Sequence, residues 1–179
     1  FARDLNYLAR LGGVVTRQPE LEDGLTRLPA SSPKLLYLDG LYSARVDGYV
    51  HEGLQKIAAT LPEHIDILPA PEAEIARYLD THKVIYDFEI CQNIGPLMKS
   101  HERQMSSETL AAIKRGQKVS ITDYDKALDE REEAAAFFEG LLAGYDGLLS
   151  ASATGEAPIF DEGTGDSICN CLWSLTGYP

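Results

Sequence analysis

The feature that most constrains the fold is a strand, a helix and a second strand within residues 34–69. Residues 34–39 form a nearly continuous apolar run closed by Gly40, which is typical of a buried strand. Apolar residues recur at helical spacing over 51–61, and residues 65–69 have the pattern of another short strand. A unit of this order and of about 35 residues predicts a parallel pair of strands with a right-handed crossover. The expected fold class is therefore α/β.

Further segments show helical periodicity. They span residues 4–11, 72–93, 107–115 and a long stretch that begins at Thr122, which we expect to be the longest helix. Gly12-Gly13, Gly95-Pro96 and Gly116 are expected to end the first three. Asp4 is a plausible N-cap for the first, and Asp125, three residues after Thr122, predicts an acidic capping box. A third strand is expected at residues 148–152, and a surface loop at 16–33.

Composition and charge limit the classes of partner. The 16 basic and 28 acidic side chains give a formal net charge of −12. Nucleic acids and anionic membranes are bound through basic patches, so neither is expected as a partner. No run of residues approaches the ~20 apolar positions of a membrane span. The three cysteines have no disulfide-scaffold spacing, and Cys169-x-Cys171 would be only half of a metal site, with no second Cys or His pair near it in sequence. Small buried free thiols are favoured, and they indicate a reducing, cytoplasmic location. No cofactor is expected.

Several groups of residues have spacings that would suit catalysis, and each also has a structural interpretation. His82, Tyr86 and Glu89 share one helical face at i, i+4 and i+7. They would suit a metal or acid–base cluster, but a hydrogen-bonded structural stripe is favoured because one helix rarely supplies enough metal ligands. The chain has no Gly-x-Ser-x-Gly elbow and no glycine-rich phosphate loop. Cys91 has no histidine near it in sequence, so a core thiol is favoured over a nucleophile.

The last sixteen residues, 164–179, predict a capped apolar helix. Thr164 or Asp166 can accept hydrogen bonds from the first free N–H groups of this helix. Its buried face is expected to carry Ile168, Leu172 and Leu175. Gly177 lies where a helix C-cap favours glycine, and Pro179 prevents continuation.

Read together with residues 145–149, this stretch resembles the amidase signature family of serine hydrolases. The corresponding residues are Asp146 to Leu149, Ala157-Pro158, Thr164 to Asp166, Asn170, Leu172-Trp173 and Gly177 to Pro179. Weaker similarity extends to Ala2-Arg3, to the Ser-Pro-Lys before the first strand and to Ser120–Tyr124. Many family members have proline soon after the third strand, where this chain has Ser150-Ala151-Ser152-Ala153. That difference leaves the substrate class open.

The resemblance implies a mixed β-sheet core flanked by helices, as part of an amidase signature fold. It also implies hydrolysis of a small-molecule carboxamide to a carboxylate plus ammonia or an amine. Members of the family use a Ser nucleophile, a second Ser in a cis peptide and a Lys base, held around a Gly/Ser-rich loop. No such loop occurs in residues 1–179. We therefore expect a single partial domain, the middle-to-C-terminal part of a family member, that supplies scaffold and part of the substrate cleft.

The residues that the resemblance places in the cleft are Thr164, Gly165, Asp166, Asn170 and Trp173. Asp166 has two candidate roles, as a helix cap and as a pocket residue that orients a polar or cationic part of the substrate, and its two carboxylate oxygens allow both. No residue of this chain is expected to be catalytic or to bind a metal. The sequence leaves open a homo-oligomer, and the alternative function is a non-catalytic α/β binding or interaction module.

Overall fold

The computed structural model describes residues 5–17, 32–159, 163 and 165–178, which fall into two compact units, 1–33 and 34–179. In the first unit, helix α1 spans Leu5–Thr16. The prediction that Gly12-Gly13 would end this helix is wrong. Glycine costs a helix only about 1 kcal/mol and removes no backbone donor, so apolar residues beyond it allow the helix to continue. The expected cap at Asp4 and most of the expected loop at 16–33 lie outside the described residues.

The second unit is built on a three-stranded parallel sheet. The strands are β1, Leu35–Asp39; β2, Ile65–Pro69; and β3, Gly147–Leu149, in the order β2-β1-β3. Helix α2, Gly48–Thr60, connects β1 to β2, so the predicted strand–helix–strand unit with a parallel pair is confirmed. The third strand is three residues long and ends before Ser150, which corrects the predicted range of 148–152. All strands in the described ranges run parallel, in contrast to the mixed sheet that was expected.

Five further helices lie in the described residues of this unit. They are α3, Glu72–Asn93; α4, Met98–His101; α5, Ser107–Gly116; α6, Ile121–Leu141; and α7, Ile168–Thr176. The bounds predicted for α3 are confirmed. Because α3 is one residue longer than α6, the prediction that the stretch beginning at Thr122 is the longest helix is wrong. Short 3₁₀ turns flank α4. In the described part of the chain, no helix combines the length and apolar character that crossing a membrane requires.

The capping box of α6 lies two residues earlier than predicted. The Ser120 hydroxyl accepts a hydrogen bond from the Asp123 N–H at 3.1 Å and donates to Asp123 Oδ2 at 2.6 Å. Ser120 has the extended backbone of an N-cap, whereas Thr122 already lies inside the helix. The predicted pair of Thr122 and Asp125 is therefore wrong, because the same hydroxyl–acid spacing of three residues occurs twice, at overlapping positions two residues apart.

Helices cover both faces of the sheet. Helix α2 packs on one face, where Tyr37 and Ile65 meet Ala58. Helices α3, α6 and α7 cover the other face, and their buried side chains pack against Leu36 and Leu38. Because α2 follows β1 on one face while α7 follows β3 on the other, the chain connections diverge between β1 and β3. Open α/β sheets bind ligands at the carboxyl ends of strands at such a switch point.

Helices α3 and α5 are joined by a close backbone approach and a buried carboxylate. A Cβ at Gly116 would lie 2.0 Å from the Asp87 carbonyl oxygen and 2.6 Å from Cys91 Cβ. The Asp87 carboxylate is buried and accepts two hydrogen bonds from Arg115, at 2.6 and 2.7 Å, and one from Lys83 at 2.7 Å. Burial alone would raise the pKa of Asp87, but these two cations outweigh it, so the pKa is lowered and the carboxylate is ionised.

Two buried tyrosines on this side of the sheet differ in their hydroxyl partners. The Tyr78 hydroxyl accepts a hydrogen bond from Arg77 at 2.9 Å. The Tyr42 hydroxyl is buried with no hydrogen-bond partner among the described residues, and burial raises its pKa. Tyr42 also has a φ of 59°, a left-handed backbone that non-glycine residues rarely adopt. An unpaired buried hydroxyl costs about 1–3 kcal/mol, so this residue reduces the stability of the fold.

Candidate functional site

A cavity of about 550 Å³ runs alongside β3. One wall consists of residues 145–148 and 150–152, and the other consists of Cys169, Asn170 and Trp173 of α7. Leu148 packs with the core under α6 and α7, whereas Leu149, which packs on the α2 face, is absent from the lining, so the cavity lies on the α6 and α7 side of this edge strand. We call this opening the strand-edge cavity. It extends past the carboxyl end of β3 to Ser152, at the switch point of the sheet.

Asn170 and Trp173, both predicted site residues, face this cavity from α7. Trp173, the only tryptophan of the chain, packs edge-on against Phe138 at a ring distance of 5.4 Å. The backbone N–H of Asn170 donates to the Ser167 carbonyl at 2.9 Å. Its side-chain amide is exposed and has no hydrogen bond to another described residue. Trp173 is therefore held in place by the core, while Asn170 is free to bind a ligand.

Asp166, a third predicted site residue, lies elsewhere. It borders a second cavity of about 1240 Å³, here called the helix groove, whose floor is α3 and whose walls are α5 and the start of α7. Asp166 Oδ1 accepts a hydrogen bond from the Ile168 N–H at 3.0 Å, and Oδ2 pairs with the guanidinium of Arg45. The N-cap position itself is Ser167, whose side chain makes no capping hydrogen bond. Asp166 thus satisfies the helix start from one residue upstream.

The structure therefore divides the predicted site residues between two cavities. Gly165, which immediately precedes Asp166, has a φ of 83°, a backbone that only glycine adopts readily. Thr164 lies outside the described residues. Arg45 was not predicted, because 121 residues separate it from Asp166 and no local pattern links the two. Asp166 accepts from the first N–H of α7 as predicted, but the N-cap position belongs to Ser167, and the role of Asp166 toward a substrate stays a prediction.

Acidic groups dominate the charge of the strand-edge cavity. Glu139 and Asp146 line it, and no described Lys, Arg or His does. Asp146 Oδ2 accepts a hydrogen bond from the backbone N–H of Lys34 at 2.8 Å. The Lys34 ammonium instead lies 2.7 Å from Asp66, whose hydrogen bond and negative charge raise the pKa of Lys34. Asp146 is therefore left without a charged partner among the described residues.

The lining of this cavity is suited to binding rather than to nucleophilic attack. Burial raises the pKa of the Cys169 thiol, so it is protonated at neutral pH and is a weak nucleophile. Ser150 and Ser152 have no hydrogen bond to a base within the described ranges. The cavity offers an aromatic ring, an amide, hydroxyls and two carboxylates. Such a lining, mostly apolar with a few polar groups, is typical of small-molecule sites of 300–1,000 Å³.

His82, Tyr86 and Glu89 form a separate surface feature on α3. His82 and Tyr86 stack at 6.1 Å, burial lowers the pKa of His82, and Glu89 accepts a hydrogen bond from the Tyr124 hydroxyl at 2.9 Å. No three His, Cys, Asp or Glu side chains in the described part of the chain are arranged to hold a metal ion. These contacts fit the structural stripe that the sequence favoured. All three cysteines are free thiols.

A scan of the chain against protein-family models gives no match. A search of curated proteins gives no significant match either. The comparisons therefore assign neither a family nor an activity.

Proposed function

We propose that this chain is part of an amidase signature hydrolase and forms one wall of its substrate cleft. Two features support the proposal. The order of motifs from Asp146 to Gly177 resembles that family, and two of the residues it places in the cleft, Asn170 and Trp173, line one cavity at the carboxyl end of β3. This juxtaposition is the observation that carries the proposal.

In the proposed reaction a serine hydroxyl attacks the carbonyl carbon of a carboxamide. The C–N bond breaks, ammonia or an amine leaves with the proton taken from the serine, and an acyl-serine ester remains. Water then attacks the ester, releasing the carboxylate and restoring the serine. In the family the serine nucleophile lies in the Gly/Ser-rich loop and the lysine base lies earlier in the chain than that loop, and residues 1–179 do not contain the loop. The described residues would bind and orient the substrate.

Each wall of the strand-edge cavity has a distinct part in this binding. The free side-chain amide of Asn170 can accept from the N–H and donate to the C=O of a substrate amide. The Trp173 ring and neighbouring apolar side chains can hold the acyl portion by apolar contact. Asp166 would act from the helix groove only on a substrate group able to compete with Arg45 for its carboxylate.

A non-catalytic binding module is the second candidate function. It is favoured by the chemistry of the strand-edge cavity, which has no described cationic residue, no paired serine and base, and a protonated Cys169 thiol. Under this alternative, the same cavity binds a ligand and releases it unchanged.

The native gene product can distinguish the two functions. We expect it to have more than twice the ~20 kDa mass of this chain, to release ammonia or amine from a carboxamide and to be labelled at serine by a fluorophosphonate. Asn170→Ala should lower kcat/KM about tenfold, whereas Asn93→Ala, on the exposed end of α3, should leave it unchanged.

Two outcomes would contradict the proposal. The first is saturable quenching of Trp173 fluorescence by an amide without turnover by the native protein, which supports the binding module. The second is hydrolysis by the 179-residue chain alone that is abolished by replacing one of its own Ser or Cys residues. That result would place the nucleophile in this chain.

A further inference from the structure

We propose that the strand-edge cavity selects a chain-like carboxamide with an ammonium group about 10 Å from its amide carbonyl. This inference rests on the proposed function, because it names the class of substrate for the same cavity. Neutral polar groups line one end of the cavity, acidic side chains line the other, and apolar groups lie between them. A substrate that matches this order has an amide end, an apolar middle and a cationic end.

The neutral polar end lies at the carboxyl end of β3. Ser150 and Ser152 follow this strand, and Asn170 lies in the first turn of α7. The start of α7 is held at this end because Asp166 pairs with Arg45, which follows β1, and because β1 and β3 run parallel. The exposed side-chain amide of Asn170 can donate to and accept from a carboxamide, so the amide of the substrate is placed here.

The opposite end of the cavity is acidic. Only residues 142–146 connect α6 to β3, so the last turn of α6 lies beside the amino end of β3. Glu139 in that turn and Asp146 just before the strand both line the cavity, and neither has an ion-pair partner among the described residues. The C-terminal carbonyl groups of α6 add partial negative charge. Lys34 is outside the lining and pairs with Asp66 at 2.7 Å, so this end favours a cation.

The spacing of the two ends sets the length of the ligand. Because α7 starts at the carboxyl end of β3, Tyr178, two residues beyond α7, lies toward the amino end of that strand. A helix rises about 1.5 Å per residue, so roughly 10 Å separates Asn170 from Tyr178. Trp173 lies between them and, with Leu142, gives the lining apolar and aromatic surface for a methylene chain.

Two matched amides test the proposal on the native protein at low ionic strength. An extended chain covers roughly 1.2 Å per bond, so 8-aminooctanamide places its ammonium about 10 Å from its carbonyl carbon. Nonanamide has the same length and a methyl group in place of the ammonium. Titration calorimetry gives the ratio of their dissociation constants, and the ratio of kcat/KM replaces it if the amides are hydrolysed. We expect a preference of at least tenfold for the ammonium amide.

A pair of charge variants locates the source of this preference. Glu139→Gln should lower the preference at least threefold and leave nonanamide binding unchanged, which also shows that the cavity is intact. Glu132→Gln is the matched control, because Glu132 is exposed on the same helix and outside the cavity lining. It should change the preference by less than 1.5-fold.

The outcomes separate this inference from the proposed hydrolysis. A tenfold preference without turnover would support the cationic end of the site and contradict the hydrolysis. Turnover of both amides with equal kcat/KM would support the hydrolysis and overturn this inference. Equal effects of the two Glu variants would also overturn it, because the preference would then follow the net charge of the protein. Failure of either amide to bind or react would exclude the site itself.

Discussion

Replacing Gly116 with alanine tests whether the approach of α5 to α3 limits the stability of this fold. The added Cβ would lie 2.0 Å from the Asp87 carbonyl oxygen, and ordinary contacts begin at 3.4 Å. Both obstructing groups, this carbonyl and Cys91 Cβ, belong to the body of α3 and cannot rotate away. Helix α5 would have to move outward by roughly 1 Å in an interior that is packed as densely as an organic crystal.

The expected cost is about 3 kcal/mol of unfolding free energy. Overpacking alone costs about 1–3 kcal/mol. The outward shift would also stretch the hydrogen bonds from Arg115, the residue next to Gly116, to the buried Asp87 carboxylate. Gly53→Ala is the matched control, because Gly53 lies inside α2 and a Cβ there meets nothing within 4 Å. That change should stabilise the protein by about 0.5–1 kcal/mol, since alanine has the higher helix propensity.

Urea unfolding followed by circular dichroism measures both variants. The two midpoints should move in opposite directions, with the denaturant slope unchanged if only the folded state is affected. A Gly116→Ala variant within about 0.5 kcal/mol of the parent chain would refute the reasoning. It would mean that α5 can shift without loss of its packing or its ion pair.

Three further predictions follow from other contacts. Asp87→Asn should lower the free energy of unfolding by about 2 kcal/mol at pH 7. Because the pKa of Asp87 is lowered in the folded state, this difference from the parent should shrink as the pH falls below about 4, which unfolding measured at a series of pH values can show. Tyr42→Phe should be neutral or stabilising by up to about 1 kcal/mol, whereas Tyr78→Phe should be destabilising by about 1 kcal/mol because it loses a hydrogen bond from Arg77. Thermal melts measure both variants, and the reverse order would contradict the assignment of the unpaired hydroxyl to Tyr42. Asp166→Asn in the native protein keeps an acceptor for the first turn of α7, so it should change the free energy of unfolding by less than about 1 kcal/mol. The same variant should lower kcat/KM about tenfold for a substrate with a free amine. Equal activity of variant and parent toward all amides would leave Asp166 with the role at the helix start alone.

Local patterns were sufficient for most of the fold. The apolar run at 34–39 and the helical spacing at 72–93 each specify one element, because their periodicity involves residues close together in sequence. The errors arose where a local signal was ambiguous. The hydroxyl–acid spacing occurs at both Ser120 and Thr122, and only the extended backbone at Ser120 identifies the cap. Gly12-Gly13 predicts the end of a helix, but glycine weakens a helix without blocking it.

Less of the candidate site than of the fold could be predicted from the sequence. Asn170 and Trp173 lie about one turn apart on α7 and line the same cavity, and the prediction that they bind a substrate there stays a prediction. The partner of Asp166 was not predictable, because Arg45 lies 121 residues away and reaches it only through the tertiary fold. The acidic character of the cavity likewise arises from Glu139 and Asp146, which lie on different elements.

The central position of β1 also affects how the protein assembles. Its pairing with β2 joins residues about 30 positions apart, as between Leu35 and Ile65, whereas its pairing with β3 joins Leu35 to Gly147. Closing the longer loop costs about 1 kcal/mol more chain entropy, so we expect the β1–α2–β2 unit to form early and β3 with α7 to dock late. Amide hydrogens of the late-docking elements should exchange before those of β1. Both long walls of the strand-edge cavity belong to those elements, so undocking of β3 and α7 would remove the cavity while the β1–α2–β2 unit persists.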